Sequence, residues 1–426
     1  MISRACLAAV VALVAAPAVA QAAQFPAVAV GPAGTAHAAW LQSDGRANLV
    51  QERRRAPDGL LTDAQYVSAA GRSASPPRIG SDRNGTAIIA WAASDGSANA
   101  ILSRRRAPDG TLGPVQRISA AGINAYDPDV AVDPDGNAVY IWQSLDGSSS
   151  TVQVRRRTAA GVLGSIQTVS AAGGVSSPRV GLDTAGNAVL AWMRLGADAS
   201  YAVLQTRSRS AGGTLGPTQT LTDRCEEYDL AVASNGRAAF SWVYPQQFTY
   251  AILGRRREAS GTLNPIQTIS PVGTSSFYPT VAIDPSGRVV FAWERTDRGQ
   301  IIEGRVRRAD GTLGNRFDLD EGYSSRSPEA AVDDDGNATF TWASDSLGDS
   351  GVQHIRARRR TAAGALSPLV TISSESSSFN QLPHLGLDAN GNAVFVWEEH
   401  DGEAASAKIR RRTAGGTLGT VRTLGE

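Results

Sequence analysis

Arginine clusters are the most conspicuous reactive groups in this 426-residue chain. Triplets occur at Arg53 to Arg55, Arg104 to Arg106, Arg155 to Arg157, Arg255 to Arg257, Arg358 to Arg360 and Arg410 to Arg412. Interrupted forms stand at Arg207/Arg209 and Arg305/Arg307/Arg308. A guanidinium fork binds carboxylate or phosphate bidentately, so a girdle of triplets would suit an anionic polymer. A second constellation mixes aromatics with carboxylates: Glu226, Glu227, Tyr228, Tyr244, Phe248, Tyr250, Phe277 and Tyr278. Rings stack on the apolar faces of sugars or side chains while carboxylates accept hydroxyl hydrogens, which is ligand-binding chemistry. These eight residues are the candidate ligand site. A smaller departure of the same kind gathers Phe379, His384, Glu398, Glu399 and His400.

Other reactive groups are thinner. Asp133/Asp135/Asn137 and Asp333/Asp335/Asn337 have the look of a calcium loop, but the downstream acidic ligand is missing, so they read as turns and no metal is expected. The four histidines, His37, His354, His384 and His400, are scattered, and neither Gly-x-Ser-x-Gly nor His-Glu-x-x-His occurs. No catalytic residue and no cofactor is assigned. Cys6 lies in an apolar leader, leaving Cys225 alone, so no intrachain disulfide is expected and Cys225 reads as a small, partly buried side chain.

These groups are positioned by a repeat. The eight tryptophans, Trp40, Trp91, Trp142, Trp192, Trp242, Trp293, Trp342 and Trp397, are spaced by 49 to 55 residues. A glycine lies six residues before every one, from Gly34 to Gly391. A proline lies fourteen before seven of them, with Tyr228 taking that place in the fifth unit. Within one unit, Val130 to Asp133 alternates as a strand, Pro134 to Asn137 makes a tight turn, and Ala138 to Trp142 is a β-rich second strand. Thr151 to Arg157 and Ile166 to Ser170 supply two more. Four antiparallel strands in about 50 residues is the size of a propeller blade. The predicted fold is therefore all-β, an eight-bladed β-propeller of four-stranded antiparallel blades.

The residue eleven before each tryptophan is always Ala or Gly, which places that first strand innermost, where blades crowd. The tryptophans then fill the wider gaps as core. The chain opens on a first strand (Pro26 to Val30) and ends on a fourth (Thr420 to Leu424), so the ring is expected to close by packing rather than strand exchange. First–second and third–fourth turns share one face and barely vary in length. Second–third loops and crossovers share the other and do vary, and variable loops on a rigid scaffold are where binding concentrates. The arginines fall on strand three, toward the outer edge, where solvated ion pairs and edge protection explain them.

Val130-Ala-Val-Asp-Pro-Asp-Gly-Asn-Ala-Val139 resembles the strand–turn–strand core of NHL-like extracellular propeller repeats. More loosely it resembles the Asp-box repeats of sialidase-like propellers, although the tryptophan follows the glycine by six residues rather than three. The resemblance spans residues 25 to 426 and implies architecture rather than activity. Residues 1–20 read as a signal peptide: Arg4, an apolar run from Leu7 to Ala16, then Ala18-Val19-Ala20. Residues 21–426 form a single propeller domain.

Removing Arg4 takes the 41 basic residues to 40, against 40 acidic, which argues against nucleic acid or an anionic membrane as partner. Arginine in place of all but one lysine, with abundant Ala and Gly, suggests a GC-rich bacterial genome. The expected protein is a secreted or cell-surface monomer. It binds a protein or glycan through its variable-loop face; the alternative is a lectin or a sialidase-like glycan-active enzyme.

Overall fold

The computed structural model describes residues 23–196, 200–297, 299–320, 324–345, 352–374, 379–402 and 404–425. The expected signal peptide falls outside them. Among the described residues there is no helix. The third unit shows the pattern: strands Asn124–Val132, Ala138–Asp146, Ser149–Arg157 and Gln167–Thr168 pair antiparallel in chain order. The glycines six residues before the tryptophans all adopt positive φ, between 72° and 89°, which closes the turn between the first two strands without a Cβ penalty.

The pairing gives six sheets of four strands and one of eight. The sequence led us to expect eight separate sheets. The last two units are instead bridged at a single parallel pair, Gln353 with Phe379, because the long first strand of the eighth unit (Phe379–Leu387) runs beside the third strand of the seventh (Gln353–Arg360). Asn380 Nδ2 donates to the Gln353 carbonyl at 2.7 Å and fastens the contact.

All eight tryptophans are at most 1% exposed and sit between units, as expected of core. Crowding of the inner strands is direct. A Cβ on Gly80 would lie 2.7 Å from Val132 Cγ2, and one on Gly386 would lie 2.6 Å from Val30 Cγ2. The second contact joins the eighth unit to the first in the same way as the second joins the third. Trp40, Ala38 and Ala23 also share one apolar cluster with Val396, Ile409 and Leu424. Among the described residues no strand pairing links the two ends; they meet by packing and by hydrogen bonds such as that from the Phe25 N–H to Glu398 Oε2 (3.1 Å).

The arginines tie the units together. In every unit the first arginine of the cluster donates Nε to a carbonyl nine residues on, and Nη1 to a carbonyl on the outermost strand of the preceding unit. Arg155 reaches Gly164 (2.7 Å) and Ile118 (2.9 Å); Arg255 reaches Asn264 (2.6 Å) and Leu221 (3.3 Å). Arg53 does the same across the ends of the chain, donating to Thr62 (2.6 Å) and Thr423 (3.0 Å). For the first arginine this corrects the expectation of solvated ion pairs; middle arginines do make such pairs, Arg256 with Glu258 (2.6 Å) and Arg359 with Asp333 (3.0 Å). The acceptors of the first arginine are backbone carbonyls that the short outermost strands leave without ladder partners, and a charged donor satisfies each at a net gain of about 1–2 kcal/mol.

Candidate functional site: a cavity at the inner strands

A proline lies fourteen residues before seven of the tryptophans, and in six of those units the inner strand bulges there. The residue before that proline is driven to positive φ (48° to 53°) in six units: Phe25, Asp127, Ser177, Tyr278, Ser327 and Leu382. Non-glycine residues seldom hold that conformation, and it is often found at binding sites. The fifth unit keeps the offset, with Glu226 and Glu227 both opposing Val243, but without a left-handed residue: Tyr228 replaces the proline and lies opposite Trp242.

These strand heads enclose a cavity of about 360 Å³ on the variable-loop face, lined by residues from five consecutive units. Ser177, Arg179 and Met193 come from the fourth unit, and Glu226, Glu227 and Tyr228 from the fifth. Tyr278 comes from the sixth, Ser327 and Glu329 from the seventh, Leu382 and His384 from the eighth. The volume lies within the range of small-ligand sites. Tyr278 is 52% exposed and offers a ring at the rim. Its backbone N–H donates to Glu227 Oε2 (3.2 Å), and the Tyr228 hydroxyl donates to the Ser177 carbonyl (2.5 Å), tying the fifth unit to both neighbours. His384 Nδ1 lies 3.1 Å from Glu329 Oε1.

Burial sets the electrostatics. It raises the Glu227 carboxyl above its ordinary pKa, with Glu226 adding and the Tyr278 N–H opposing. Burial also holds the Tyr228 phenol well above its usual value, so it stays a neutral donor. Asp229 is raised by burial and then by Glu329. For Arg179 burial works against the charge, but Asp129, Tyr228 and Asp229 outweigh it and its pKa lies above normal. Beside this group Glu294 is pushed up to about 7, mainly by burial, against the opposing charge of Arg326. The site thus offers charged acceptors, carboxyls able to donate when protonated, one firm cation, and apolar proline and tyrosine surface.

Of the residues predicted from sequence, Glu226, Glu227, Tyr228 and Tyr278 are brought together here. The others lie elsewhere. Phe248 projects from its loop at 85% exposure. Tyr244 packs against the core between the fourth and fifth units. Tyr250 and Phe277 stack on each other (centroids 4.9 Å apart) over the next core. Cys225 is buried and its thiol pushed up, first by burial and then by Glu226 and Glu227, which makes it a poor nucleophile. Sequence reasoning missed Arg179 and Glu329. The signal was one column of the repeat, thirteen residues before each tryptophan, reading Ala27, Arg78, Asp129, Arg179, Asp229, Thr280, Glu329 and His384. Charge in a column expected to crowd the inner strands marks a lined opening. Asp129 and Asp229 also reach into the next unit, accepting from the Val180 and Val281 N–H groups at 2.9 Å.

Solved structures place this architecture. Puromycin hydrolase, as an S511A mutant complexed with PGG, superposes with a TM-score of 0.53 at 13% identity, covering 91% of this chain and 61% of that one. The β-propeller domain of the Trilobed protease from Pyrococcus furiosus, described as having an open velcro topology, gives 0.50 at 8% identity over 83% and 98%. The structural neighbours are β-propeller proteins. The Hadza microbial sialidase Hz136 is a further likeness, with a TM-score of 0.43 at 12% identity, covering 76% of this chain and 63% of that one. At such identities the shared property is the fold. No protein-family model matches the sequence, and no curated protein matches it. The chain spans about three fifths of the length of puromycin hydrolase.

Proposed function

We propose that this chain is a secreted, monomeric eight-bladed β-propeller that binds a glycan or peptide in the cavity at the heads of its inner strands. The closed eight-membered count is supported by the Gly386–Val30 contact and by Arg53, which repeat at the chain ends the contacts made between interior units. The observation that carries the binding reading is the fifth unit. Tyr228 replaces the proline that the other seven units carry, and it enters with Glu227 a cavity already rimmed by left-handed residues. Hydroxyl-rich ligands suit carboxylates that accept and a tyrosine ring that covers a sugar face. The test is a glycan array and a peptide library probed with residues 21–426. Binding lost in Tyr278→Ala and Glu227→Gln supports the reading; binding unchanged in both sinks it.

A second reading, glycan hydrolysis, is favoured by one feature: a buried carboxyl with raised pKa, Glu227, lining the same cavity as a second acidic residue, Glu329. A paired acid and base of this kind is the usual machinery of glycosidases. Turnover of chromogenic glycosides that falls at least about a hundred-fold in Glu227→Gln would establish it. Binding without turnover leaves the lectin-like reading.

A further inference from the structure

The arginine two residues after the first in each cluster makes a different contact. At four seams its Nε donates to a glutamine on the outermost strand of the preceding unit: Arg157 to Gln116 (2.7 Å), Arg209 to Gln167 (2.7 Å), Arg257 to Gln219 (3.4 Å) and Arg307 to Gln267 (2.8 Å). The same glutamine then donates its amide to the carbonyl four residues after that arginine. Those acceptors are Gly161, Gly213, Gly261 and Gly311, all within 3.0 Å. A primary carboxamide satisfies both partners because its oxygen and NH₂ lie side by side.

Other seams fill the place differently. Arg106 Nε pairs with Glu52 Oε2 at 2.6 Å, and Arg360 lies over the Phe317 ring at 5.0 Å. Between the seventh and eighth units the glutamine position is Val370, which can neither accept nor donate. Arg412 there is 7% exposed, and its buried Nε has no hydrogen-bond partner. Arg412, Gly416 and Val370 line an open cavity of about 610 Å³, whose wall also includes Arg359, Leu366 and Pro368.

We propose that this seam is a binding site for a primary carboxamide, such as the glutamine side chain of a peptide segment. The ligand oxygen accepts from the Arg412 guanidinium and its NH₂ donates to the Gly416 carbonyl, reproducing the contact that glutamine makes at four neighbouring seams. A carboxylate sets a second negative oxygen against the Gly416 carbonyl. A trans secondary amide, such as an N-acetyl group, points its C=O and N–H to opposite sides. Neither fits as well. The site lies at the third–fourth turns, on the face opposite the inner-strand cavity.

The test uses the intact ¹⁵N-labelled protein and follows arginine Nε–H signals by NMR while N-acetyl-glutamine methylamide is added. A saturable shift of the Arg412 signal is expected, with the glutamate analogue about ten-fold weaker, a difference of about 1.4 kcal/mol. Val370→Gln supplies the chain's own carboxamide and blocks the response without lowering the melting temperature. Arg412→Lys keeps the charge, loses the fork, and weakens binding about ten-fold. Glu227→Gln leaves the response unchanged. Glutamate binding as tightly as glutamine, an unaltered response in Val370→Gln or Arg412→Lys, or no shift in the wild-type protein overturns the proposal.

Discussion

The two faces of this molecule spend the same repeat differently. On the turn face, the first arginine makes the same pair of carbonyl contacts in all eight units, and the arginine two residues after it meets a glutamine at four seams. On the opposite face the corresponding level of the inner strands carries Ala, Arg, Asp, Thr, Glu or His according to the unit. A contact between neighbouring units is solved once and copied. A cavity fed by five units gains recognition only when those units differ. Regularity therefore marks cohesion here, and irregularity marks the proposed site.

The contrast is broken most severely in the core. Trp142→Ala empties a fully buried site and is expected to cost about 4 kcal/mol in urea denaturation, with no selective effect on either face. Next come the inter-unit arginines. Arg104→Ala, which removes the bonds to Gly113 (2.8 Å) and Val67 (3.1 Å), is expected to cost about 2 kcal/mol. Arg53→Ala should cost the same if the first and last units are joined like any other pair; a negligible loss would mean that the ring is open at that seam.

On the other face the effects move from stability to binding. Tyr278→Ala should change stability by less than about 0.5 kcal/mol while weakening ligand capture about ten-fold or more, read by calorimetry with the array-selected ligand. The smallest effect is pH dependence at Glu294. Its folded pKa of about 7 lies above the ordinary 4.5, so the folded state holds the proton more tightly. That contribution is complete below the ordinary value and fades as pH rises toward 7. Glu294→Gln should flatten the slope of stability between those values, and an unchanged slope would assign it to other groups.

Much of the scaffold was readable because its causes are local and repeated. Eight tryptophans and eight turn glycines announce strand, turn and strand, and the Ala/Gly column announces the crowded strand. The role of the first arginine was misread because its acceptors are backbone carbonyls, one in its own unit and one in the preceding unit, which carry no side-chain signature. Half of the candidate site was anticipated through the irregular fifth unit. Tyr244, Tyr250 and Phe277 share the composition of a binding patch yet pack on cores, since an aromatic beside a hydrophobic gap gains more from burial than from solvent exposure.

The sequence alone determined the repeat, its length and the direction in which each strand faces. Those follow from the two-residue period of a strand and from glycine at positive φ, which act over a few residues. The tertiary structure decided which charges share a cavity, that Arg179 and Glu329 stand with Glu227, and that Arg412 lacks the glutamine partner that four of its counterparts have. Such pairings join residues from about fifty to more than a hundred positions apart, and only the packing of one unit on the next brings them into reach.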